Sequence, residues 1–457
     1  MKKFIFQHAL IDGQFVANVE LEIDGHGSIT RVEIGRTESD AERIVGIAIP
    51  GMINVHSHAF QRGMAGLTEY RTAQHDSFWT WRELMYHFLR WLTPDDCYVL
   101  ARQLYLEMLQ AGYTSVGEFH YLHNDPQGRP YELRTAMADA LIAAARDVGI
   151  RMCLLPTLYQ RGGFSQPLEE GQKRFGMSLD DCVGMTIELQ QRHAHDRRLD
   201  FGFAIHSLRA VDMPIAKKAV DAIRAAMPGR PLHVHASEQQ REVDDCLAAH
   251  GHRPVAWVLD ELGADEQWCL IHATHIDWTE CSQLANSGAV VGLCPSTEAN
   301  LGDGVFPSEA FTRAGGQFAI GTDSHIGLDP RSDLRMIEYA QRLTQQRRVV
   351  LGSENLSCGQ FLTAAAWRGG RQALGLPVGR IQIGDQADFV VLDDQHPNFA
   401  GLPPDRWLDS LVFCEIGNPI RHVMVDGEWM VRDGVHALQD VSRLEFGNTV
   451  RRILSKA

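Results

Sequence analysis

Apolar and polar positions follow two alternating patterns through the middle of the chain. Short apolar runs rich in β-branched residues are separated by longer Ala- and Leu-rich stretches with helical spacing, such as 95–111, 131–148 and 213–226. Eight runs have the pattern of strands: 53–58, 114–120, 152–159, 202–206, 231–236, 269–273, 289–295 and 317–323. Strands that alternate with helices are typical of βα units in a parallel sheet, and eight such strands close a barrel. The pattern predicts an α/β protein with a (β/α)₈ TIM-type barrel.

The two ends of the chain have a different pattern, in which short strand-like runs are separated by turns. Before the barrel these runs are 3–5, 16–23, 28–34 and 44–49, and after it they are 387–392 and 422–428. Asp-Gly pairs at 12–13 and 24–25 supply turn residues. We expect residues 1–48 and 376–457 to pair into one small β-sandwich, with a C-terminal helix at 442–454, beside a barrel of residues 49–375.

Length and composition agree with a barrel plus a smaller domain. The chain has 457 residues, of which 44% are hydrophobic and 22% are charged, as is usual for globular proteins. No apolar run approaches the roughly 20 residues that a membrane-spanning helix needs. The apolar run after Lys2 and Lys3 is too short for a signal peptide. We therefore expect a cytoplasmic protein without a membrane partner.

Charge and cysteine content narrow the range of partners. The formal net charge of −15 disfavours a broad nucleic-acid interface, but it permits a local cationic pocket for an acidic small molecule. The nine cysteines include no Cys-x-x-Cys pair, which is typical of reduced thiols in a reducing compartment. Because homodimers are the commonest soluble assembly, we expect a homodimer.

A His-x-His pair stands at the end of the first predicted barrel strand. Residues i and i+2 of a strand point to the same face, so His56 and His58 project together. Two neutral imidazoles side by side are a common beginning of a Zn²⁺ or Fe²⁺ site. The alternative is a pair of surface or cleft histidines, so the interpretation depends on further ligands elsewhere.

Three other predicted strands also end in metal-binding or acid–base residues. His235 ends strand five with Glu238 three residues later, His272 ends strand six, and Asp323 ends strand eight. A histidine in any single strand is more often a structural residue. Active sites of parallel barrels, however, form at the carboxyl ends of the strands, where these side chains would meet. The joint pattern therefore predicts a functional site.

This arrangement resembles the amidohydrolase superfamily, which carries a His-x-His on strand one, histidines on strands five and six, and an aspartate on strand eight. The stretch 384–388, Gly-Asp-Gln-Ala-Asp, is similar to a turn that members carry where the chain enters the β-sandwich again. Strand four lacks the lysine that bridges two metals in other members, so the resemblance implies one metal. The sequence from His235 to Glu238 is similar to the His-x-x-Glu of the deaminase branch.

The resemblance implies a role for each of these residues. One divalent ion, Zn²⁺ with Fe²⁺ as the alternative, would be held by His56, His58, His235 and Asp323, and would lower the pKa of a bound water toward ~7. His272 and Asp323 would orient that water, and Asp323 would also accept its proton. Glu238 would protonate the substrate nitrogen and help ammonia leave. The alternative for Glu238 is a solvated carboxylate near a helix start.

Polar residues near other strand ends indicate the charge of the substrate. Arg209 follows strand four, and Arg82 lies in the aromatic segment 78–82. A guanidinium pairs bidentately with a carboxylate, so the two arginines favour an acidic substrate, with surface arginines as the alternative. Gln61 and Tyr121 would supply neutral hydrogen bonds, and the resemblance implies that His206 helps to orient the substrate.

Three stretches, 56–62, 294–304 and 321–325, resemble the subfamily that hydrolyses the formimino group of N-formimino-L-glutamate. The implied reaction adds water and gives N-formyl-L-glutamate and ammonia in histidine degradation, with Arg82 and Arg209 binding the glutamate carboxylates. Two alternatives stay open: a deaminase of the same fold acting on a purine, pterin or triazine ring, and a metal-dependent binding protein without catalysis. A cytidine-deaminase fold is disfavoured, because its Pro-Cys-x-x-Cys motif is absent.

Overall fold

A computed structural model describes residues 1–37, 39–70 and 77–456 as a series of strands and helices. In chain order the strands are β1 Lys2–Ile11, β2 Gln14–Ile23, β3 Ile29–Ile34, β4 Glu42–Pro50, β5 Met52–Ser57, β6 Tyr113–His120, β7 Arg151–Leu158, β8 Leu199–Phe201, β9 Phe203–Ser207, β10 Leu232–Ala236, β11 Trp268–His272, β12 Val290–Leu293, β13 Gln317–Ile320, β14 Phe389–Leu392, β15 Ile420–Val425, β16 Glu428–Arg432 and β17 Val435–His436. The α-helices are α1 Phe78–Leu89, α2 Pro94–Ala111, α3 Ala136–Val148, α4 Leu179–Arg192, α5 Met213–Ala226, α6 Gln240–His250, α7 Pro254–Leu262, α8 Trp278–Ser287, α9 Pro295–Leu301, α10 Ser308–Arg313, α11 Pro330–Gln345, α12 Cys358–Leu374, α13 Trp407–Phe413 and α14 Gln439–Leu454. Short 3₁₀ helices occupy Ala59–Met64, Glu170–Gln172 and Pro404–Arg406.

Eight parallel strands close a barrel in the middle of the chain. Their order around the barrel is β5, β6, β7, β9, β10, β11, β12 and β13, and β13 returns to β5 through the pairing of Ile320 with Asn54. β8 pairs with the first half of β7, and β9, which follows it after Gly202, pairs with the second half. The eight strands predicted from the apolar runs are therefore confirmed, and so is the (β/α)₈ fold class.

The barrel strands have continuous apolar runs because both of their faces are covered. Every residue of β6 and β7 is buried, as expected for parallel strands between a filled barrel interior and an outer layer of helices. The helices lie directly on the strands. A Cβ added to Gly369 of α12 would lie 2.0 Å from the carbonyl oxygen of Phe318 in β13, so this contact depends on glycine.

The helices begin and end at residues suited to those positions. The Thr93 hydroxyl accepts a hydrogen bond from the N–H of Asp96 at the start of α2, and Gly112 ends that helix with φ 97°. α5 has the predicted bounds, whereas α3 begins at Ala136 rather than at 131, because turns precede it. Among the described residues, no helix has both the length and the apolar character needed to cross a bilayer.

The two ends of the chain form one eight-stranded sheet in the order β17, β16, β15, β14, β4, β1, β2, β3. β14 joins the two ends by pairing antiparallel with β4, where Phe389 lies opposite Pro50. A separate apolar core supports this sheet, and in it the rings of Phe6 and Phe389 meet edge to face at 5.1 Å. The predicted joining of both ends in one β domain is confirmed, while the boundaries at residues 48 and 375 stay a prediction.

Candidate active site

A cleft opens at the carboxyl ends of the barrel strands. It holds about 540 Å³ of empty space, part of which is open to solvent. Ten of the predicted site residues line it: His58, Gln61, Arg82, Tyr121, His206, Arg209, His235, Glu238, His272 and Asp323. The eleventh, His56, is fully buried and contacts His235. The structure thus brings all the predicted residues into one place.

Three histidines and an aspartate converge at this cleft. Nε2 of His56 lies 3.0 Å from Nε2 of His235 and 3.5 Å from Oδ1 of Asp323. Nε2 of His58 lies 3.3 Å from the same aspartate oxygen. Ligand atoms of His56, His58 and Asp323 all lie within 4.8 Å of one another, and those of His56, His235 and His272 form a second such group. A set of imidazoles with a carboxylate suits Zn²⁺ or Fe²⁺.

Backbone carbonyls determine which way two of these imidazoles offer a lone pair. Nδ1 of His58 donates to the carbonyl of Phe119 at 2.9 Å, and Nδ1 of His235 donates to the carbonyl of His206 at 2.8 Å. Because a carbonyl only accepts, each neutral ring presents its lone pair at Nε2, toward the cluster. Burial lowers the pKa of all three rings, including His56, and so favours the neutral form that binds a metal. The side chains therefore fit a divalent ion.

The backbone at the site has left-handed conformations that are rare outside glycine. Ser237, His272 and Asp323 have φ values of 52°, 69° and 46°, and such strain concentrates at functional sites where the surroundings hold it. The N–H groups of Thr322 and Asp323 both donate to the carbonyl of His56 at 3.0 Å. These hydrogen bonds hold Asp323 beside the His-x-His pair.

His272 joins the cluster to a second set of carboxylates. Its Nε2 lies 3.7 Å from Oε1 of Glu238 and 3.7 Å from Oδ2 of Asp323, and its Nδ1 lies 3.2 Å from Oε1 of Glu298. Burial by itself lowers the pKa of His272, but Glu238 and the other carboxylates outweigh it and raise that pKa to about 10. Burial also raises the pKa of Glu238 to about 7, although His272 opposes the shift. The groups can therefore hold and exchange protons near neutral pH.

Two arginines of the cleft keep donors free for an anion. Nε of Arg82 and Nε of Arg209 are buried and have no hydrogen-bond partner in the described part of the chain. The nearest carboxylates are beyond hydrogen-bond distance, at 3.8 Å for Glu169 and Arg82 and 3.9 Å for Glu242 and Arg209. Both guanidiniums lie over the ring of Trp79, at 4.8 Å and 5.7 Å from its centroid. Stacked, buried guanidiniums of this kind are suited to binding carboxylates.

The neutral polar residues lie between the arginines and the histidines along the cleft wall. Nε2 of Gln61 donates to the Tyr121 hydroxyl at 3.1 Å, and Oε1 of Gln61 has no partner among the described residues. The ring of His206 lies 5.2 Å from that of Tyr121 and 4.9 Å from that of His235. Burial and, to a lesser extent, Arg209 hold the pKa of His206 well below its usual value, so it is a neutral hydrogen-bonding group.

Sequence reasoning missed two features of this site. The first is the aromatic and apolar wall, which comprises Phe78, Trp81, Met85, Tyr86, Tyr159, Phe175 and Leu301. The spacing of 78, 81, 82, 85 and 86 on one face of a helix is a signal that could have found half of it. The second is Glu298, whose Oε1 accepts from the N–H of Cys294 at 2.8 Å as well as facing His272. Its place three residues beyond the predicted strand 289–295 was the available signal.

Comparison with known proteins agrees with this geometry. Residues 47–430 match the model of the Amidohydrolase family. The chain belongs to this family. A formimidoylglutamate deiminase from Pseudomonas aeruginosa is 42% identical to this amidohydrolase over 99% of this chain and 100% of its own.

Solved structures show the same fold. An amidohydrolase from Brucella melitensis has a TM-score of 0.93 and 39% identity, covering 99% of this chain and 100% of that one. An adenosine deaminase from Xanthomonas campestris with bound zinc has a TM-score of 0.83 and 21% identity, covering 99% and 98% of the two chains. This amidohydrolase is thus a hydrolase that acts on carbon–nitrogen bonds.

Proposed function

We propose that this amidohydrolase converts N-formimino-L-glutamate and water to N-formyl-L-glutamate and ammonia. The observation that carries the proposal is one cleft with two arginines whose buried Nε–H groups have no hydrogen-bond partner among the described residues, beside a His–Asp cluster that fits a divalent ion. A substrate with two carboxylates and one hydrolysable C=N carbon is complementary to both features. The similarity to a formimidoylglutamate deiminase over the whole chain supports the same substrate.

The proposed cofactor is a single zinc ion, with His56, His58, His235 and Asp323 as its ligands. The neutral imidazoles and their fixed lone pairs support this set, and so does the zinc in a structure of the same fold. Zinc held by these residues would lower the pKa of a water molecule and so would supply a nucleophile at neutral pH. His272 is left out of the set, although it lies near His56 and His235, because its Nδ1 faces Glu298 at 3.2 Å and its Nε2 faces Glu238 and Asp323 at 3.7 Å, which suits a group that orients the water.

Proton transfer is assigned to three side chains. Asp323 and His272 orient the attacking water by hydrogen bonds, and Asp323 accepts its proton. The water oxygen forms a bond to the formimino carbon, and the bond from that carbon to the terminal nitrogen breaks. Glu238 donates a proton to this nitrogen as the water adds, which is a task for a buried carboxyl group whose pKa lies near neutral pH. As the carbon–nitrogen bond breaks, the proton held by Asp323 passes to the same nitrogen and the remaining hydroxyl proton passes to Glu238, so that ammonia leaves and both carboxyl groups return to their starting states.

Substrate orientation is assigned to the residues farther along the cleft. Arg82 and Arg209 bind the two carboxylates of the glutamate portion, because they are buried cations with unused donors. Gln61, Tyr121 and His206 provide neutral hydrogen bonds that hold the formimino group toward the His–Asp cluster.

One observation favours a second candidate, a deaminase acting on a purine, pterin or triazine ring. Tyr121, Tyr159 and Phe175 line the cleft and offer ring faces for stacking. A heterocycle without carboxylates, however, would leave the buried Nε–H groups of Arg82 and Arg209 without a hydrogen-bond acceptor, which costs binding free energy. The acidic substrate therefore explains more of the cleft.

Product analysis tests the proposal directly. Zinc-loaded protein is incubated with N-formimino-L-glutamate, and ammonia with N-formylglutamate is scored against formamide with glutamate. Ammonia with N-formylglutamate is the expected pair. Formamide with glutamate would show that the amidine is cut on its other side and would refute the role given to Glu238. Turnover of a ring amine in place of N-formimino-L-glutamate would establish the second candidate.

We further propose that the enzyme is a cytoplasmic homodimer. The length of the match to a metabolic deiminase supports the location, and the general prevalence of twofold assemblies supports the dimer. Sedimentation equilibrium of the zinc-loaded protein at micromolar concentration should give twice the chain mass of 51.1 kDa. A single species of chain mass would contradict the dimer.

A further inference from the structure

A buried arginine behind the cleft wall joins three segments of that wall. Arg174 is 3% exposed and donates from Nε to the carbonyl of Asn124 at 3.0 Å, from Nη1 to that of Leu89, and from Nη2 to that of Leu92 at 2.8 Å. Its own carbonyl accepts from the N–H groups of His123 and Asn124 at 3.0 Å and 2.9 Å. Arg174, which lies in the segment after β7, thus bonds to the end of α1 and, through both its side chain and its own carbonyl, to the segment after β6.

The partners of Arg174 are carbonyls rather than carboxylates. In residues 1–37, 39–70 and 77–456, the hydrogen bonds of its guanidinium go to three backbone oxygens and, at 3.5 Å, to the Tyr131 hydroxyl. Burial accordingly lowers its pKa. A cation without an anionic partner is costly to bury, so this arginine is retained for the geometry that its fork of donors imposes.

The contact with Leu89 replaces an ordinary helix C-cap. Leu89 is the last residue of α1, and the last carbonyls of a helix have no partner within the helix. The following residue, Arg90, has an αR conformation with φ −52° rather than the left-handed turn that usually ends a helix. The Leu89 carbonyl accepts from the N–H of Leu92 at 3.1 Å, and Arg174 adds a second donor to it and places a positive charge at the negative end of the helix dipole.

Arg82 lies on α1, and residues 171–174 contact this helix at further positions besides Leu89. Nε2 of Gln172 donates to the Tyr86 hydroxyl at 3.0 Å. A Cβ added to Gly171 would lie 2.6 Å from Cγ of Tyr86, so the segment approaches α1 at the closest distance that glycine permits. The position of α1 therefore depends on residues 171–174.

We propose that Arg174 is a positioning residue that sets α1 so that Arg82 meets a carboxylate of the substrate. Arg174 is not among the residues that line the cleft, so it acts through the helix. The identity of the substrate rests on the proposed function, whereas the hold of Arg174 on α1 does not. Because Arg82 is assigned to binding a substrate carboxylate and not to the reacting atoms, loosening this helix should weaken substrate binding, which KM reports.

The kinetic test compares two variants of Arg174 with a matched arginine elsewhere. In Arg174→Met we expect KM for N-formimino-L-glutamate to rise about tenfold or more while kcat changes by less than about threefold. Arg174→Lys keeps the charge and should recover part of the loss. The control is Arg335→Met, because Arg335 is also buried and donates to a helix-end carbonyl, that of Val412 at 3.3 Å, away from the cleft. It should leave KM unchanged.

A double variant tests whether the effect passes through Arg82. If it does, adding Arg174→Met to Arg82→Met should change KM by less than about twofold, because the group that Arg174 positions is already gone. A KM rise of the same size in both backgrounds would overturn the proposal. A fall in kcat of Arg174→Met as large as its rise in KM, together with a lower Tm, would also overturn the proposal, because a purely structural role gives that result.

Hydrogen–deuterium exchange provides a readout that needs no turnover. In zinc-loaded, substrate-free enzyme, Arg174→Met should speed amide exchange in residues 78–92 and leave the barrel strands unchanged. Binding of glutarate, a dicarboxylate probe, should weaken by the same factor as KM. Wild-type protein that fails to hydrolyse N-formimino-L-glutamate refutes the proposed function alone, whereas unchanged exchange in residues 78–92 refutes the role of Arg174.

Discussion

Nε2 of His56 and Nε2 of His235 lie 3.0 Å apart, although the two residues are separated by 179 positions in the chain. The Nδ1 proton of His235 is held by a carbonyl, so its Nε2 atom offers a lone pair to this contact. Burial lowers the pKa of both rings, which disfavours an imidazolium at either position. A shared cation is the arrangement that uses these lone pairs best.

Metal removal should therefore abolish activity and lower the Tm. An ion that binds only the folded site stabilises it, so chelation removes that stabilisation, and added zinc should restore both properties. His235→Ala should lose the ion in metal analysis. His233→Ala is the matched control, because His233 lies two residues earlier on the same strand and bonds to the carbonyl of Ala373 at 2.8 Å. Full metal content in His235→Ala would contradict the ligand set.

Loss of either cleft arginine should weaken binding of an acidic substrate. Hydrogen bonds to charged groups contribute about 1.5–3 kcal/mol each, so Arg82→Met and Arg209→Met should each raise KM roughly 10- to 100-fold, with metal content unchanged. Arg241→Met is the control, since its guanidinium lies 4.6 Å from the centroid of the same Trp79 ring but belongs to an exposed side chain outside the cleft. Near-normal KM in both cleft variants would remove the basis for an acidic substrate.

Two helical glycines should respond to alanine in opposite directions. Gly369 in α12 meets the backbone of β13, where an added Cβ would lie 2.0 Å from the Phe318 carbonyl oxygen. Gly184 in α4 is exposed and has no atom within 4 Å of that position. Gly369→Ala should therefore lower the free energy of unfolding by about 1–3 kcal/mol or more, and Gly184→Ala should raise it by about 0.5–1 kcal/mol. Urea unfolding measures both, and equal stabilities would contradict the close packing of α12 on β13.

The convergence of the His-x-His pair with side chains from other strands could be predicted because its geometry follows from local rules. The period of two in a strand places His56 and His58 on one face, and the parallel barrel brings the carboxyl ends of distant strands together. Both rules work on short stretches of sequence. They also explain why His235, His272 and Asp323 were found although they lie far apart in the chain.

The aromatic wall and several boundaries could not be predicted in this way, because they depend on contacts between distant segments. Tyr86 and Phe175 reach the cleft through the bonds of Arg174 to α1, which join residues 82 and 85 positions apart. β1 continues to Ile11, beyond the predicted run 3–5, since a register shift between Phe6 and His8 interrupts its alternation while pairing with β4 goes on. Such shifts have no clear signal in hydrophobic period alone.

Glu238 should determine the alkaline limit of the reaction. Burial raises the pKa of its carboxyl group to about 7, so the group is mostly protonated below that pH and loses its proton as pH rises through it. A proton donor works only when protonated, and kcat should therefore fall on the alkaline side of about pH 7.

Glu238→Gln should retain zinc and glutarate binding but lose roughly 10²- to 10⁴-fold in kcat. Glu280→Gln serves as the control, because Glu280 is equally buried but pairs with Arg253 away from the cleft. A kcat that stays constant to pH 9, or a Glu238→Gln variant as active as the control, would assign the proton to another group.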